Sequence, residues 1–174
     1  GRTTLNGEGL QHQDGHSHLM ANTIPNCHSY DPTYSYELAV IVQDGLKRMY
    51  QNKENCFYYI TTMNENYHHP EMPEGVEEGI IKGIYKLQAA KKNVKKKRVQ
   101  LMGAGTILRE VEAAADLLRD DWGVESDIWS VTSVNELARD GQRATRWNLL
   151  NPEAEQKKAY VTQQLESSEG PFII

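Results

Sequence analysis

The chain has 174 residues, a net charge of −5 and a mean hydropathy of −0.67, which suits one domain or two small ones. The acidic balance argues against nucleic acid as a partner, because phosphate-binding proteins are usually basic. No apolar run reaches the roughly 18 residues that a membrane-spanning helix needs. The chain opens at Gly1 without Met and stops in the apolar run 172–174, so we expect a fragment of a longer protein.

The first third of the chain predicts a loop followed by strand, helix and strand. Residues 1–23 carry no helical or strand period, which indicates a loop. A short strand is expected over 24–30. Asp31 and Pro32 are typical of a helix start, and apolar side chains then recur at helical spacing. The aromatic run 56–62 predicts a buried strand.

The polar, proline-interrupted segment 64–75 is typical of a domain boundary. The elements predicted next are a helix at 75–82, a strand at 83–88, a strand at 99–102 and the turn Gly103-Ala104-Gly105. A helix from Ile107, capped by Thr106, and a strand at 124–131 follow. The last predicted elements are a helix that begins with a Ser133/Glu136 capping box and ends at Asp140-Gly141, a helix at 157–167 and a strand from Pro171. This alternation predicts an α/β fold with mostly parallel sheets and helices on both faces.

The cysteines and the basic run have plain interpretations. Cys27 and Cys56 fit no metal spacing and lie in strand-like stretches, which favours buried reduced thiols in a cytoplasmic protein over a disulfide or a nucleophile. The run from Lys91 to Arg98 is typical of a solvated turn or hairpin tip, with phosphate or nucleic-acid binding as the alternative.

The segment 9–18 has the densest chemistry, because His12, Asp14, His16 and His18 fall within seven positions. Imidazole titrates near neutral pH and also binds metals. Three interpretations remain open: a polar loop, acid/base or substrate contacts, and a zinc site built from the three histidines. The absence of a nearby Cys, or of a Glu at helical spacing from the histidines, weakens the zinc interpretation.

Two other motifs favour structural roles. Neighbouring histidines in extended chain point to opposite sides, so His68-His69 indicates a loop between domains. The turn 103–105 resembles the start of a dinucleotide fingerprint, with Asp127 a little more than 20 residues further on. Leu108 occupies the third glycine position, which favours a tight strand-to-helix turn.

The string at 1–18, GRTTLNGEGLQHQDGHSH, closely resembles the homodimeric, thiamine-diphosphate-dependent pyruvate dehydrogenases. These enzymes form the decarboxylating component of the bacterial pyruvate dehydrogenase complex. Further matching blocks are IPNC at 24–27, SYDP at 29–32, YYITT at 58–62, NENYH at 64–68, MPEG at 72–75, GIYKL at 83–87, SVTS at 130–133 and ELARDGQ at 136–142. The resemblance therefore runs along the whole chain, which corresponds to a minor part of a full family member.

The resemblance implies a transketolase-like, three-layer α/β/α fold. Residues 1–72 would be the second half of the pyrimidine-binding domain, and residues 73–174 the first part of the C-terminal domain. It implies oxidative decarboxylation of pyruvate and reductive acetylation of a lipoyl group on the dihydrolipoyl acetyltransferase core. A homodimer in the cytoplasm is expected, without nucleic acid or membrane as a partner.

The resemblance also implies site residues. His12 matches the active-site histidine that contacts the substrate-derived group and moves protons during acetyl transfer. His18 matches a histidine of transketolase-type enzymes, and His16 receives no role. The family holds thiamine diphosphate and Mg²⁺ with a Gly-Asp-Gly segment followed by Asn, which this chain lacks. These cofactors would therefore be bound mainly by residues outside the fragment, which should be inactive alone.

Three alternatives accompany this interpretation. One is a related thiamine-dependent dehydrogenase for another 2-oxo acid, and another is a transketolase-type enzyme. The third assigns residues 73–174 to dimer contact and assembly only, because no convincing polar cluster follows residue 70.

Overall fold

The computed structural model describes residues 13–91 and 97–174. Within these ranges the chain forms α1 (Ser17–Asn22), β1 (Cys27–Tyr30), α2 (Ser35–Leu46) continued by a π-helical turn (Lys47–Gln51), β2 (Phe57–Ile60), α3 (Glu77–Lys82), β3 (Tyr85–Gln88), β4 (Arg98–Gly103), α4 (Ile107–Trp122), β5 (Glu125–Ser130), α5 (Val134–Leu150), α6 (Tyr160–Leu165) and β6 (Phe172–Ile173). None of the helices in the described ranges has both the length and the apolar character needed to span a bilayer.

The strands of the described ranges form two sheets, and most of their pairings are parallel. β1 and β2 pair in parallel, from Cys27 opposite Phe57 to Tyr30 opposite Ile60. The second sheet has the strand order β3-β5-β4-β6, in which β4 runs parallel to β5 and β6. Only its edge pairing, β3 with β5, is antiparallel. The predicted α/β class with mostly parallel sheets is confirmed.

Helices cover both faces of the four-stranded sheet, because side chains alternate along its central strands. One face packs against α4 through the side chains of Val99, Leu101, Leu108, Ala115 and Ile128. The other face packs against α5 and α6 through the side chains of Met102, Trp129, Leu137, Tyr160 and Leu165. The arrangement is the expected three-layer α/β/α sandwich.

Two predictions for the first part of the chain are wrong. Residues 17–22 form α1 rather than a loop, because the Asp14 carboxylate accepts hydrogen bonds from the backbone N–H groups of His16 and Ser17 at 3.1 and 3.0 Å. Helix α2 begins at Ser35 and not at Asp31. Its start is set instead by the Glu37 carboxylate, which accepts hydrogen bonds from backbone N–H groups ahead of the helix.

The prediction that α5 ends at Asp140-Gly141 is also wrong, since the helix continues to Leu150. A glycine inside a helix costs only about 1 kcal/mol, which packing of α5 against β1 and α6 can offset. Asp140 caps a different helix: its carboxylate accepts a hydrogen bond from the backbone N–H of Tyr160, the first residue of α6, at 2.6 Å.

The predicted capping box at the start of α5 is half correct. The Ser133 hydroxyl accepts a hydrogen bond from the backbone N–H of Glu136 at 3.0 Å. The Glu136 side chain does not return this bond, because the Ser133 N–H donates to the carbonyl of Gly83. The carboxylate of Glu136 is turned instead toward His28 and Arg139.

The structure also locates both cysteines and part of the basic run. Cys27 is buried, whereas Cys56 is only partly buried, and both are free thiols. Burial is the first cause of a raised pKa at Cys27, which makes its thiolate less available than that of an ordinary cysteine. Residues 92–96 of the basic run lie outside the described ranges. The flanking strands β3 and β4 are not paired with each other, because β5 lies between them in the sheet, so the prediction of a hairpin is wrong.

Candidate active site

A cavity of about 140 Å³ lies beyond the carboxyl ends of strands from both sheets. It is lined by His18, Ser29, Asp31, Ala104, Val131, Ser133, Val134 and Asn135. Asp31 directly follows β1, Ala104 follows β4, and Val131 follows β5. The carboxyl ends of parallel strands are where α/β folds bind their ligands, so the topology favours this cavity as a functional site.

The two sheets are joined at this edge by backbone hydrogen bonds. The N–H of Asp31 donates to the carbonyl of Thr132 at 2.8 Å, and the N–H of Gly105 donates to the carbonyl of Asp31 at 3.1 Å. The loop after β1 is thereby held between the loops after β4 and β5. Two backbone hydrogen bonds therefore connect the two sides of the cavity.

His18 is held at the mouth of this cavity through both its backbone and its ring. The side-chain amide of Asn135 donates to the His18 carbonyl at 2.7 Å and to the Ser29 hydroxyl at 2.5 Å. The imidazole meets the ring of Tyr59 edge-on, with centroids 5.3 Å apart and an interplanar angle of 73°. Helix α1 is therefore held against both β1 and α5.

A chain of polar groups runs from the His18 imidazole to a carboxylate. The Nε2 atom of His18 lies 3.3 Å from the Thr61 hydroxyl oxygen. That hydroxyl donates to the Asp31 carboxylate at 2.5 Å. We call His18, Thr61 and Asp31 the relay. An imidazole supported by a hydroxyl and a carboxylate is suited to oriented hydrogen bonding and proton transfer.

The structure leaves some of the predicted site residues untested. His12 lies outside the described residues. The zinc site built from His12, His16 and His18 is untested for the same reason, although the described ranges contain no cluster of three metal-ligating side chains. His16 is exposed, and its backbone takes part in the capping of α1.

The histidine pair of the 64–70 segment has a structural role at His69. Its Nδ1 atom accepts a hydrogen bond from the backbone N–H of Ser35 at 3.1 Å, and its ring lies 4.5 Å from that of Tyr67. This contact ties the loop after β2 to the start of α2. The loop interpretation of this segment agrees with the structure.

The glycine turn after β4 is a tight strand-to-helix turn, as predicted. Gly105 has a φ of +50°, and a Cβ atom there would lie 2.6 Å from a carboxylate oxygen of Asp31. The Thr33 hydroxyl also donates to the Gly105 carbonyl at 2.7 Å. The Asp31 carboxylate therefore lies against this turn, and its negative charge disfavours a phosphate there.

A second polar cluster, built from His28 and Arg48 of the first part of the chain and Glu136 and Arg139 of α5, joins β1 to α5. His28 Nδ1 lies 3.0 Å from the Glu136 carboxylate, and its Nε2 lies 3.0 Å from the Arg48 guanidinium. A neutral ring protonated at Nδ1 satisfies both contacts. Arg139 binds the Glu136 carboxylate at 3.1 Å and the backbone carbonyl of Cys27 at 2.5 Å.

The electrostatics of this cluster act mainly on Glu136. Burial alone would raise the pKa of its carboxyl, but the hydrogen bond from His28 and the positive charges of Arg139 and Arg143 together lower it. Glu136 therefore stays ionised in the folded protein. Its role is to hold α5 on β1 beside the cavity.

Sequence reasoning missed three residues of the site, namely Asp31, Thr61 and Asn135. The sequence predicts Asp31 as a helix start, and it gives no separate role to Thr61, within the predicted strand 56–62, or to Asn135, within the helix predicted after Ser133. Their common signal is position: each is a polar residue directly or shortly after a strand of a parallel sheet, at the edge where such folds bind ligands.

Two protein families match the chain. Residues 1–70 match the pyruvate dehydrogenase E1 component middle domain. Residues 83–174 match the transketolase-like TK C-terminal domain. The cavity is lined from both matched ranges, since His18 and Asp31 lie in the first and Ala104 and Asn135 in the second.

Curated relatives agree with these matches. The pyruvate dehydrogenase E1 component of Cupriavidus necator is 59% identical over 99% of this chain and 19% of the relative. The protein of the same name from Pseudomonas aeruginosa is 60% identical over 99% of the chain and 20% of the relative. That of Escherichia coli K12 is 62% identical over 94% of the chain and 18% of the relative.

The chain thus spans about a fifth of the length of these relatives. One family model covers more than half of it, and the similarity to the relatives is continuous along nearly all of its residues. The chain therefore belongs to the transketolase-like C-terminal domain family, and it is related along almost its whole length to the pyruvate dehydrogenase E1 component.

Proposed function

We propose that this chain is part of the decarboxylating component of a pyruvate dehydrogenase complex. The full protein would decarboxylate pyruvate oxidatively and reductively acetylate the lipoyl group of a dihydrolipoyl acetyltransferase. The observation that carries the proposal is an identity of about 60% to three proteins named pyruvate dehydrogenase E1 component, over 94–99% of the chain. The imidazole-lined cavity at the carboxyl edge of the sheets supports it.

The proposal includes thiamine diphosphate and Mg²⁺ as cofactors of the full protein. When bound, thiamine diphosphate supplies the carbanion chemistry that a 2-oxo acid needs to lose carbon dioxide. The relay and the 140 Å³ cavity fit only the reacting end of this group, since sites for whole drug-sized ligands measure roughly 300 Å³ or more. Asp31 beside the glycine turn disfavours a diphosphate there, so residues elsewhere would hold the diphosphate and its metal.

We assign His12 and His18 as the catalytic residues of this chain. His12 would hydrogen-bond to the oxygen of the substrate-derived group and transfer a proton during acetyl transfer, an assignment that rests on its sequence match. His18 would contact substrate from the mouth of the cavity. The Asn135 and Tyr59 contacts that hold His18 in a fixed position support a role in which its orientation matters.

The division into domains at residues 1–72 and 73–174 is part of the same proposal. The matched ranges 1–70 and 83–174 lie on either side of the division and support it. The full protein would act as a homodimer in the cytoplasm.

The test is His12→Ala in the full-length protein, assayed for pyruvate-dependent carbon dioxide release and for lipoyl acetylation. Losing one acid/base group should lower turnover by about 10²-fold. His16→Ala is the matched control and should remain within about twofold, because His16 is exposed and surface changes away from a site have small effects. Unchanged turnover and acetylation in His12→Ala would remove the assigned role.

A transketolase-type activity is the second candidate, and the match of residues 83–174 to a transketolase-like domain favours it. Wild-type full-length protein should therefore be assayed with pyruvate, with larger 2-oxo acids and with ketose phosphates under the same conditions. The proposed function requires pyruvate to give the highest kcat/KM. A preference for a ketose phosphate, or for another 2-oxo acid, would contradict it.

A further inference from the structure

We propose that Thr61 is a positioning residue that connects the Asp31 carboxylate to the His18 imidazole and holds His18 in the tautomer protonated at Nε2. The inference deepens the proposed function and rests on it for its catalytic meaning. It depends on the geometry of three side chains from three separate parts of the chain, which meet at the carboxyl ends of β1 and β2.

The direction of each hydrogen bond follows from the number of protons available. A threonine hydroxyl has one proton to donate. Two acceptors lie near that proton, the Asp31 carboxylate at 2.5 Å and the Tyr30 carbonyl at 3.3 Å, and the much shorter contact to the carboxylate takes it. The hydroxyl oxygen can then only accept from His18 Nε2, which lies 3.3 Å away. His18 Nε2 therefore carries a proton in this arrangement.

The two residues that support His18 in the relay, Thr61 and Asp31, are also fixed by backbone hydrogen bonds. The N–H of Thr61 donates to the carbonyl of Tyr30 at 3.1 Å and continues the β1–β2 pairing beyond its last strand residue. Asp31 is bonded through its N–H to Thr132 and through its carbonyl to Gly105. The carboxylate and the hydroxyl are therefore presented to His18 at defined positions.

The consequence for catalysis is orientation rather than direct participation. A histidine that moves a proton must present the correct nitrogen to the reacting group, and a neighbouring hydrogen bond selects which nitrogen that is. Without the Thr61 hydroxyl, the hydrogen bond that favours a proton at Nε2 is lost, and the population of the tautomer protonated at Nδ1 would rise. The fraction of molecules with a productive ring would fall, while the pocket for the substrate would be retained.

The experiment compares Thr61→Val, which keeps the shape but loses the hydroxyl, with Thr61→Ser, which keeps the hydroxyl, in the full-length protein. Thr61→Ala is the second variant without a hydroxyl, in case the valine protein does not fold. The first readout is carbethoxylation of individual histidines by diethyl pyrocarbonate, resolved by mass spectrometry without cofactor or substrate. The second is kcat and KM for pyruvate.

We expect Thr61→Val and Thr61→Ala to raise the modification rate of His18 by about threefold or more, because Nε2 is released as a nucleophile. His16, exposed on the same helix start, should react at an unchanged rate in every variant and serves as the reference. Turnover should fall by about tenfold with KM within about twofold, because fewer molecules then have the proton at Nε2 while the pocket is retained. Thr61→Ser should match wild type in both readouts.

Equal His18 modification rates in wild type and in the variants without a hydroxyl would overturn the proposal, as would an unchanged kcat in those variants. Failure of Thr61→Ser to restore both readouts would likewise overturn it, since the hydroxyl would then not be the group responsible. The proposed function fails separately, when wild-type protein does not turn over pyruvate. The modification readout then still decides the relay, because it requires no activity.

Discussion

At the scale of single residues, the fully buried Glu37 carboxylate accepts hydrogen bonds at both of its oxygens. One oxygen accepts from the backbone N–H groups of Thr33 and Tyr34 at 2.6 and 2.9 Å. The other accepts from the hydroxyls of Tyr85 and Ser130, both at 2.6 Å. Burial first, and then the charge of Glu37, raise the pKa of Tyr85 well above its usual range, so its hydroxyl keeps its proton. Glu37 thus joins α2 to β3 and β5.

Glu37→Gln should destabilise the protein, because either orientation of the amide places an N–H₂ group against donors. A buried hydrogen-bonding group left unpaired costs about 1–3 kcal/mol, so we expect the variant to unfold with its midpoint at a lower urea concentration. Glu155→Gln, in an exposed segment, is the control and should stay within about 0.5 kcal/mol. Equal midpoints for the two variants would show that the carboxylate is not needed at this site.

At the scale of elements, the contact between α5 and β1 should depend on pH through Glu136. Its pKa is lower folded than unfolded, so its contribution to stability is complete above the ordinary carboxyl pKa and is lost as pH falls through the folded value. The difference in urea midpoint between wild type and Glu136→Gln, measured between pH 7 and pH 3, should therefore become smaller as the pH falls. A constant difference across that range would contradict the prediction.

The elements that could be predicted are those whose signals are local. The apolar stripe of α4 and the hydroxyl of Ser133 at the start of α5 are visible within a few residues of sequence, and the structure contains both. The errors arise where distant contacts decide. Helix α5 passes through Gly141 because α5 packs on other elements, and α2 starts at Ser35 because a glutamate inside the helix satisfies the N–H groups ahead of it.

The candidate site likewise combines a residue that a local sequence signal identifies with residues that only long-range contacts bring together. His18 could be identified because it lies in a distinctive string near the start of the chain. Thr61 and Asp31 are 30 residues apart and meet only because β1 and β2 pair in parallel. Asn135 is 117 residues from His18, whose carbonyl it holds. Periodicity and short motifs carry no information about contacts across such separations.

At the scale of the whole molecule, residues from both halves of the chain build one cavity, which bears on an assembly-only role for residues 73–174. Asn135→Ala in the full-length protein should lower pyruvate turnover by about tenfold or more, since a misplaced catalytic group costs up to about 10²-fold. Gel filtration should show an unchanged oligomer, and Gln142→Ala, on the exposed side of the same helix, should behave as wild type. Unchanged turnover in Asn135→Ala would instead favour an assembly role.

Gly105 links the local and global scales of the structure. A side chain there would collide with the Asp31 carboxylate, which is also the end of the hydrogen-bonded path to His18. Gly105 is buried, and a single added methyl group would displace the Asp31 carboxylate, which accepts a hydrogen bond from the Thr61 hydroxyl beside the His18 imidazole. Replacing Gly105 would therefore disturb the candidate site as well as the turn in which the glycine lies.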